Sequence, residues 1–414
     1  MSKKRDISQL QFRSIAGWRG DSLCCPQAFG GDVFSGCSMD CWWCFCREME
    51  EELYNKYYEG WSRDLVRPCN PDDYRKLFDW AFGSDKEFSD WNVKCLRYGL
   101  PFNMGSKAET FCVEDRQDKV VVPVLELFKE YKVPIIFETK SHYIGMRHYL
   151  DIVKELNCAV IVAIMGGSDT LNYKLEPGAP TASARWYLVE QLNKLGIWTG
   201  VRWEPILAGI NSSDEVFESY IKQAVKSGAK HISFYNYRTS NSNMALREFL
   251  AHGYSKKEYG KLLMANLDKD YYRKGYIGKV EKVKETWPSV GRRFLNIARG
   301  HPIKVSTPDF VNFPFDSDCE SCCGVDSKFK SYQFTFQHAC QLIKQKGQVS
   351  WQDMEEVEFR ELEAYERAKQ GWNGKGQYYT LRDSSHIVVM GKDKDGMNIY
   401  GGGGGRGKEG FGFI

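Results

Sequence analysis

At 414 residues the chain is long enough for one large buried core and a smaller appended region. Lys and Arg total 57 against 54 for Asp and Glu, so the net charge of +3 points to no particular class of partner, and the basic start at Lys3, Lys4 and Arg5 reads as a solvated terminus rather than a nucleic-acid arm. No run of about 18 apolar residues and no charged-then-apolar leader occurs, so membrane insertion and secretion are not expected.

In chain order, residues 1–31 read as an irregular N-terminal segment holding Cys24, Cys25 and the Gly30-Gly31 pair. Residues 32–36 read as a short first strand that delivers Cys37, Cys41 and Cys44 on a tight loop. A helical period runs from Pro71 to Phe82, and residues 100–105 read as a strand ending in a glycine turn. A regular alternation follows. Helices at Val121–Tyr131, Met146–Leu156, Ala182–Leu195 and Asp214–Ser227 precede strands at Val133–Thr139, Ala159–Met165, Trp198–Pro205 and His231–Tyr237. These strands are apolar and β-branched, too uniformly so for a sheet half exposed to water, as expected of parallel βαβ units covered on both faces. Six such strands over 32–240 suit a partial (β/α)6 TIM-like barrel better than an open doubly wound sheet, although periodicity does not separate the two. In both, ligands sit at the carboxyl ends of the strands.

Residues 241–370 read as a mostly helical C-terminal region, with an extra strand at Pro302–Asp309 and two amphipathic helices over 331–369. The tail 371–414 is Gly-rich, with five consecutive glycines from Gly401 to Gly405, and is expected to be partly disordered.

The fourteen cysteines are clustered rather than dispersed, which suggests metal ligands or reactive thiols in a reducing, cytoplasmic setting. Cys37, Cys41 and Cys44 are separated by three and then two residues. A [4Fe–4S] cluster normally takes four thiolates, so three ligands leave one iron open for a small molecule. Cys46 is read as a bystander, since a fourth ligand would cap that iron. The group Cys319, Cys322 and Cys323 has half-site spacing for a second metal, with His338 and Cys340 as nearest partners. The alternatives are reactive thiols and structural cysteines.

Polar residues follow the strands. Gly105, Ser106 and Glu109 come after the second strand, Lys140 after the third, Glu176 after the fourth, and Glu204 to Asn211 lie around the fifth. Ser213 reads as a helix N-cap.

The three-cysteine spacing resembles the radical S-adenosylmethionine (SAM) signature. The segments Glu138-Thr139-Lys140-Ser141, Leu175-Glu176-Pro177 with Ala179-Pro180 and Arg185, and Pro205-Ile206 with Gly209-Ile210-Asn211 are similar to the spore photoproduct lyase-like branch of that superfamily. The resemblance covers about residues 30–240. It implies a [4Fe–4S] cluster on Cys37, Cys41 and Cys44, SAM chelated at the open iron, and Lys140 on the SAM carboxylate. Gly105, Glu109, Glu176 and Arg185 would line the cofactor. It also implies reduction by a flavodoxin or ferredoxin, and a 5′-deoxyadenosyl radical that abstracts hydrogen from a nucleobase.

Two departures matter. Ala163 stands where the branch often has a serine for the SAM ribose. Ser106 stands where the lyases carry a hydrogen-donating cysteine, and Cys112 is either a substitute or an inert buried thiol. Some bacteriophage members of the branch isomerise N-α-glycinylthymidine to C-α-glycinylthymidine during thymidine hypermodification of DNA. That is the specific activity expected here, in a host cytoplasm if the protein is viral. The alternatives are a lesion lyase and, without catalysis, a zinc-stabilised nucleic-acid-binding protein. Trp42, Trp43, Trp198 and Trp203 would stack an extruded base if they face the mouth, and otherwise pack the core.

Overall fold

A computed structural model describes residues 5–6, 15–18, 29–44, 46, 58–59, 65–83, 90–237, 253, 255–257, 287–308, 316–329, 336–354, 366, 387–394 and 396–402. Its main sheet has eight strands: β1 (Gly17–Trp18), β2 (Phe29–Gly31), β3 (Phe102–Met104), β4 (Ile135–Thr139), β5 (Cys158–Ala163), β6 (Trp198–Ile206), β7 (His231–Asn236) and β8 (Lys304–Ser306). Each strand pairs with its neighbours in chain order. All pairs are parallel except β1 with β2. A doubly wound sheet reverses its strand order at a switch point. This one does not, which is the arrangement of an incomplete barrel and settles what periodicity left open.

The helices of seven residues or more are α1 (Pro71–Phe82), α2 (Trp91–Arg97), α3 (Val121–Glu130), α4 (Arg147–Val153), α5 (Asp169–Leu175), α6 (Ala182–Lys194), α7 (Asp214–Lys226), α8 (Trp287–Ala298) and α9 (Phe336–Lys346). Ile135, Phe137, Val160, Val162, Val201 and Trp203 pack outward with the helical residues Val124, Phe128, Leu188, Phe217 and Phe294. Alternate residues point to the other face. There Ile136, Ala159 and Ile161 form a separate small core with Cys323, Val325 and Phe329. The segment 316–329 therefore fills the inner side of the sheet.

Local chemistry fixes the helix starts. Asn70 caps α1 ahead of Pro71, Thr181 caps α6, and Ser213 caps α7 as its sequence suggests. The first barrel strand is Phe29–Gly31 rather than 32–36. A Cβ on Gly30 would lie 2.1 Å from the Asn103 carbonyl oxygen, and one on Gly31 would lie 1.7 Å from that of Ile15, so the strand needs glycines. Phe34–Ser35 instead pairs antiparallel with Arg67–Pro68.

The sheet continues past residue 240, since Lys304–Ser306, inside the predicted extra strand, joins it as the seventh parallel strand. Of the two helices read over 331–369, α9 is present, and Trp351–Met354 forms a short 3-10 turn; the stretch 355–365 lies outside the described residues. Within the Gly-rich tail, Ile387–Lys392 and Asn398–Gly402 pair antiparallel, and Gln348–Val349 adds a third strand. Backbone pairing lets Gly401 and Gly402 hold a place in a strand without side chains to bury. Among the described residues no helix is long and apolar enough to cross a membrane.

Candidate active site

The cysteine loop leaves β2 at the carboxyl end of the sheet. It is tied to the turn after α5: the Trp42 amide donates to the Leu175 carbonyl at 3.3 Å, and the Gly178 amide donates to that of Met39 at 3.1 Å. The Ser38 hydroxyl donates to Glu114 at 3.0 Å. Cys41 is buried, whereas Cys37 and Cys44 are half-buried. Burial pushes the Cys37 thiol up to about 12 and raises that of Cys41 as well. For Cys41, Glu176, Cys44 and Cys37 push the same way and Lys140 opposes them.

Metals bind thiolates, so a cluster iron would have to displace these protons. Among the described residues no three His, Cys, Asp or Glu side chains converge at metal-coordination distance. Cys37, Cys41 and Cys44 are nevertheless electrostatic neighbours on one loop, and the Lys140 ammonium favours the thiolate of Cys41. Soft thiol donors beside an ammonium suit an iron–sulfur cluster.

Opposite the loop stands a three-residue ion group. Glu176 and Arg185 meet at 2.7 Å with neither side chain exposed, and Arg185 also donates to the Ala163 carbonyl at 2.8 Å. Lys140 approaches the other Glu176 oxygen at 3.5 Å and lies 4.5 Å from the centre of the Trp43 ring. Burial works against the charge on Lys140, but Glu176, with Cys41 and Glu204, outweighs it and raises the ammonium above its ordinary value. Lys140, just after β4, and Glu176, just after α5, thus gather beside Cys41, with Arg185 holding Glu176 from behind.

Glu109 and Gly105 are held by contacts within the chain. Glu109 accepts from the Thr139 hydroxyl at 2.6 Å, the Lys140 amide at 2.8 Å and the Phe111 amide at 3.1 Å. Both carboxylate oxygens are engaged within the chain, so Glu109 fixes the end of β4 and with it the backbone of Lys140. Burial raises its pKa against the pull of those donors. Gly105, at φ +94°, sits where a Cβ would meet the Glu138 carbonyl oxygen at 2.1 Å. Its amide donates to Asp32 at 3.2 Å, as do those of Lys107 at 3.3 Å and Ala108 at 3.5 Å. Asp32 was invisible in the sequence reading; an acid directly after Gly30-Gly31 was the only signal. The Ser106 hydroxyl oxygen is buried with no hydrogen-bond partner among the described residues. Cys112 lies in the apolar core, where burial raises its thiol pKa.

The inner face of the sheet carries a second polar group. Arg202 on β6 makes a paired contact with Glu138 on β4, at 2.5 and 3.0 Å, passing over Ala163 on β5. Glu204 approaches the same guanidinium at 3.8 Å, and Tyr235 lies beneath it with 5.1 Å to the ring centre. The Tyr235 hydroxyl donates to the Cys322 sulfur at 3.8 Å. Cys322 is therefore brought into the barrel interior, while Cys323 packs on the inner sheet residues. His338 faces Glu320 at 3.2 Å and Cys340 lies in the apolar core, so neither completes a metal site with Cys319, Cys322 and Cys323. The segment that carries these three cysteines lies as a plug against the inner face of the sheet.

The four tryptophans divide. Trp203 is fully buried in the outer core, 4.4 Å from Tyr220 and 5.7 Å from Phe294 between ring centres. Trp198 donates to Ser327 at 3.0 Å, beside the small inner core. Only Trp42 and Trp43 belong to the cysteine loop, and Trp43 lies against Lys140.

No protein-family model matches this chain, and no curated protein sequence matches it. Among solved structures, Streptococcus suis SuiB bound to precursor peptide SuiA is 14% identical at a TM-score of 0.33, covering 49% of this chain and 37% of that one. Spore photoproduct lyase complexed with dinucleoside spore photoproduct is 16% identical at a TM-score of 0.41, over 65% of this chain and 71% of that one. A variant of that lyase with bound AdoMet and dinucleoside spore photoproduct is 15% identical at 0.43, over 70% and 84%. The chain spans only 37% to 50% of the length of the SuiB chains it matches. These are low similarities, and the site is read from its own residues.

Those residues form a mouth with two sides. One carries three thiols with a balanced group of Lys140, Glu176 and Arg185. The other carries Glu138, Arg202, Glu204 and Tyr235 above an apolar plug. The first group suits a charged cofactor, and the segment 316–329 covers the sheet below the second.

Proposed function

We propose that the chain is a radical SAM enzyme acting on a modified nucleobase, and specifically an isomerase that converts N-α-glycinylthymidine to C-α-glycinylthymidine in DNA. The observation that carries this reading is the cysteine loop at the carboxyl end of the sheet with the Lys140 ammonium beside Cys41. Cys37, Cys41 and Cys44 would hold a [4Fe–4S] cluster, which together with SAM supplies a 5′-deoxyadenosyl radical that takes hydrogen from a substrate carbon. Lys140 offers its charge to the SAM carboxylate. The Arg185–Glu176 pair fixes its position, and Glu109 fixes its backbone. The plug formed by residues 316–329 covers the inner face of the sheet against solvent. The protein's contribution is orientation and shielding, since the cofactor carries the difficult chemistry.

Isomerisation is preferred because Ser106 occupies the place of the lyases' donor thiol, and a glycyl α-carbon radical is stabilised by its neighbours. One observation favours a lesion lyase as the second reading: the Cys322 thiol inside the barrel is a hydrogen source of the kind a net cleavage needs.

The test is anaerobic reconstitution followed by incubation with SAM, a flavodoxin or ferredoxin reductant and DNA bearing N-linked glycinylthymidine. The expected results are about four iron and four sulfide per chain, 5′-deoxyadenosine formation that Cys41→Ala abolishes, and a nucleoside of unchanged mass with a new retention time. Zinc without iron, or deoxyadenosine formation that survives Cys41→Ala, sinks the radical SAM reading. An unaltered nucleoside profile sinks the isomerase, and thymine release from spore photoproduct selects the lyase.

A further inference from the structure

The inner wall of the barrel holds two buried polar atoms with no hydrogen-bond partner among the described residues. Arg202 gives its two terminal nitrogens to Glu138, but its Nε–H has no acceptor. Ser233 stands beside it in parallel register on β7, so both side chains leave the sheet on the same face, and the Ser233 Oγ is also unpartnered. Arg202 is 9% exposed and Ser233 0%. Buried donors without partners are rare in native proteins and call for an explanation.

Two residues beyond Arg202 on the same strand, and on the same face, stands Glu204. A quarter of its side chain is exposed, at 25%, and the cation that pairs with it is the Arg202 guanidinium at 3.8 Å, already committed to Glu138. One guanidinium thus serves two carboxylates. Glu204 also lies near enough to Lys140 and Tyr235 for its charge to act on both, which places it between the cofactor side and the inner wall.

An incompletely compensated carboxylate at the mouth favours an ammonium. A free guanidinium N–H next to a free hydroxyl favours a carboxylate or carbonyl oxygen. Side by side, they are complementary to a group carrying both. We propose that Glu204, Arg202 and Ser233 form a subsite for an amino-acid-type substituent, the amine on Glu204 and the carboxylate on Arg202 Nε and Ser233 Oγ. This rests on the radical SAM reading and names the part of the substrate that the inner wall holds. The same chemistry occurs at the methionyl end of SAM, so the test separates the two sources.

Dissociation constants for the full-length, anaerobically reconstituted protein are measured by equilibrium dialysis with four probes: N-linked glycinylthymidine, 5-aminomethyl-deoxyuridine, thymidine and SAM. Wild type is expected to bind glycinylthymidine at least about ten-fold tighter than thymidine, the scale of one charge-assisted hydrogen bond, with the aminomethyl nucleoside between them. Glu204→Gln removes the advantage of both amine-bearing probes. Ser233→Ala weakens only the carboxylate-bearing one, and SAM binding stays unchanged in both variants. Equal binding of the three nucleosides to wild type overturns the subsite, a result that needs no variant to fold. Weakened SAM binding by Glu204→Gln with nucleoside binding intact overturns it in favour of the methionyl group. SAM cleavage by wild type without nucleoside reports separately on the radical SAM reading, so loss of one conclusion is distinguishable from loss of the other.

Discussion

Arg185 and Glu176 meet at 2.7 Å with both side chains at 0% exposure, one turn of chain away from the cysteine loop that Gly178 anchors. Removing one partner from a buried pair leaves an uncompensated charge, whereas replacing both with apolar groups is tolerated far better. Arg185→Met leaves Lys140 as the only cation bonded to Glu176 among the described residues, and it is expected to cost about 3 kcal/mol, toward the lower end for such losses. The Glu176→Leu, Arg185→Leu double variant should recover much of that stability in urea melts while failing to bind SAM. Equal stability of single and double variants would show that the pair does not act as a unit.

Asp32 collects the amides of Gly105, Lys107 and Ala108 on one oxygen, Oδ1. Asp32→Asn keeps a carbonyl oxygen in that place, but Asp32→Ala leaves the three amides unsatisfied. The alanine variant should lose about 1–3 kcal/mol, and the asparagine variant much less. Chemical denaturation at neutral pH checks this, and matching losses in the two variants would contradict the proposed role.

His231 supplies a pH dependence. Its Nε2 is paired with the Ser306 hydroxyl at 2.5 Å, and burial, with Lys304 and Arg202 nearby, lowers its pKa to about 3. Between the unfolded value near 6.5 and about 3, the unfolded chain binds a proton that the native site refuses. Stability contributed by this group is therefore present above the unfolded value and lost as pH falls through that window, at up to about 1.4 kcal/mol per pH unit. His231→Gln should flatten that part of the stability–pH curve; an unchanged slope would mean that other groups set it.

Much of this architecture was legible because buried parallel strands carry apolar runs, as in Ile135–Phe137 and Cys158–Ala163. The first strand was misplaced by a few residues because Gly30 and Gly31 carry no apolar signal, while Val33 and Phe34 do. Their role is to let the backbones of Asn103 and Ile15 approach. Lys140, Glu176 and Arg185 were singled out one by one, but their meeting is a tertiary fact. So are the Asp32 contacts across more than seventy residues and the Glu138–Arg202 pair across sixty-four. Cys319, Cys322 and Cys323 show a different limit. Local spacing suggests a metal half-site, yet the segment that carries them is used to fill the barrel, and only the sheet's inner face shows that.

Gly178 gives the most direct mechanical test of the cysteine loop. A Cβ built there would lie 2.2 Å from the Ser38 carbonyl oxygen and 2.8 Å from the Met39 carbonyl carbon. These are backbone atoms, which cannot swing aside as a side-chain tip can. Gly178→Ala must therefore push the loop off the turn and strain the bond from its own amide to Met39. The cost should be about 1–3 kcal/mol, the usual penalty for inserting a methyl group where there is no room. Because Cys37 and Cys41 flank the displaced residues, iron incorporation should fall more steeply than stability. The comparison to make is iron per folded chain against the denaturation midpoint, with Gly196→Ala as control, a glycine at φ +77° whose Cβ meets nothing within 4 Å. The control should lose some stability through backbone strain and keep its iron. Full iron loading in Gly178→Ala would show that the loop can be moved without disturbing the three thiols.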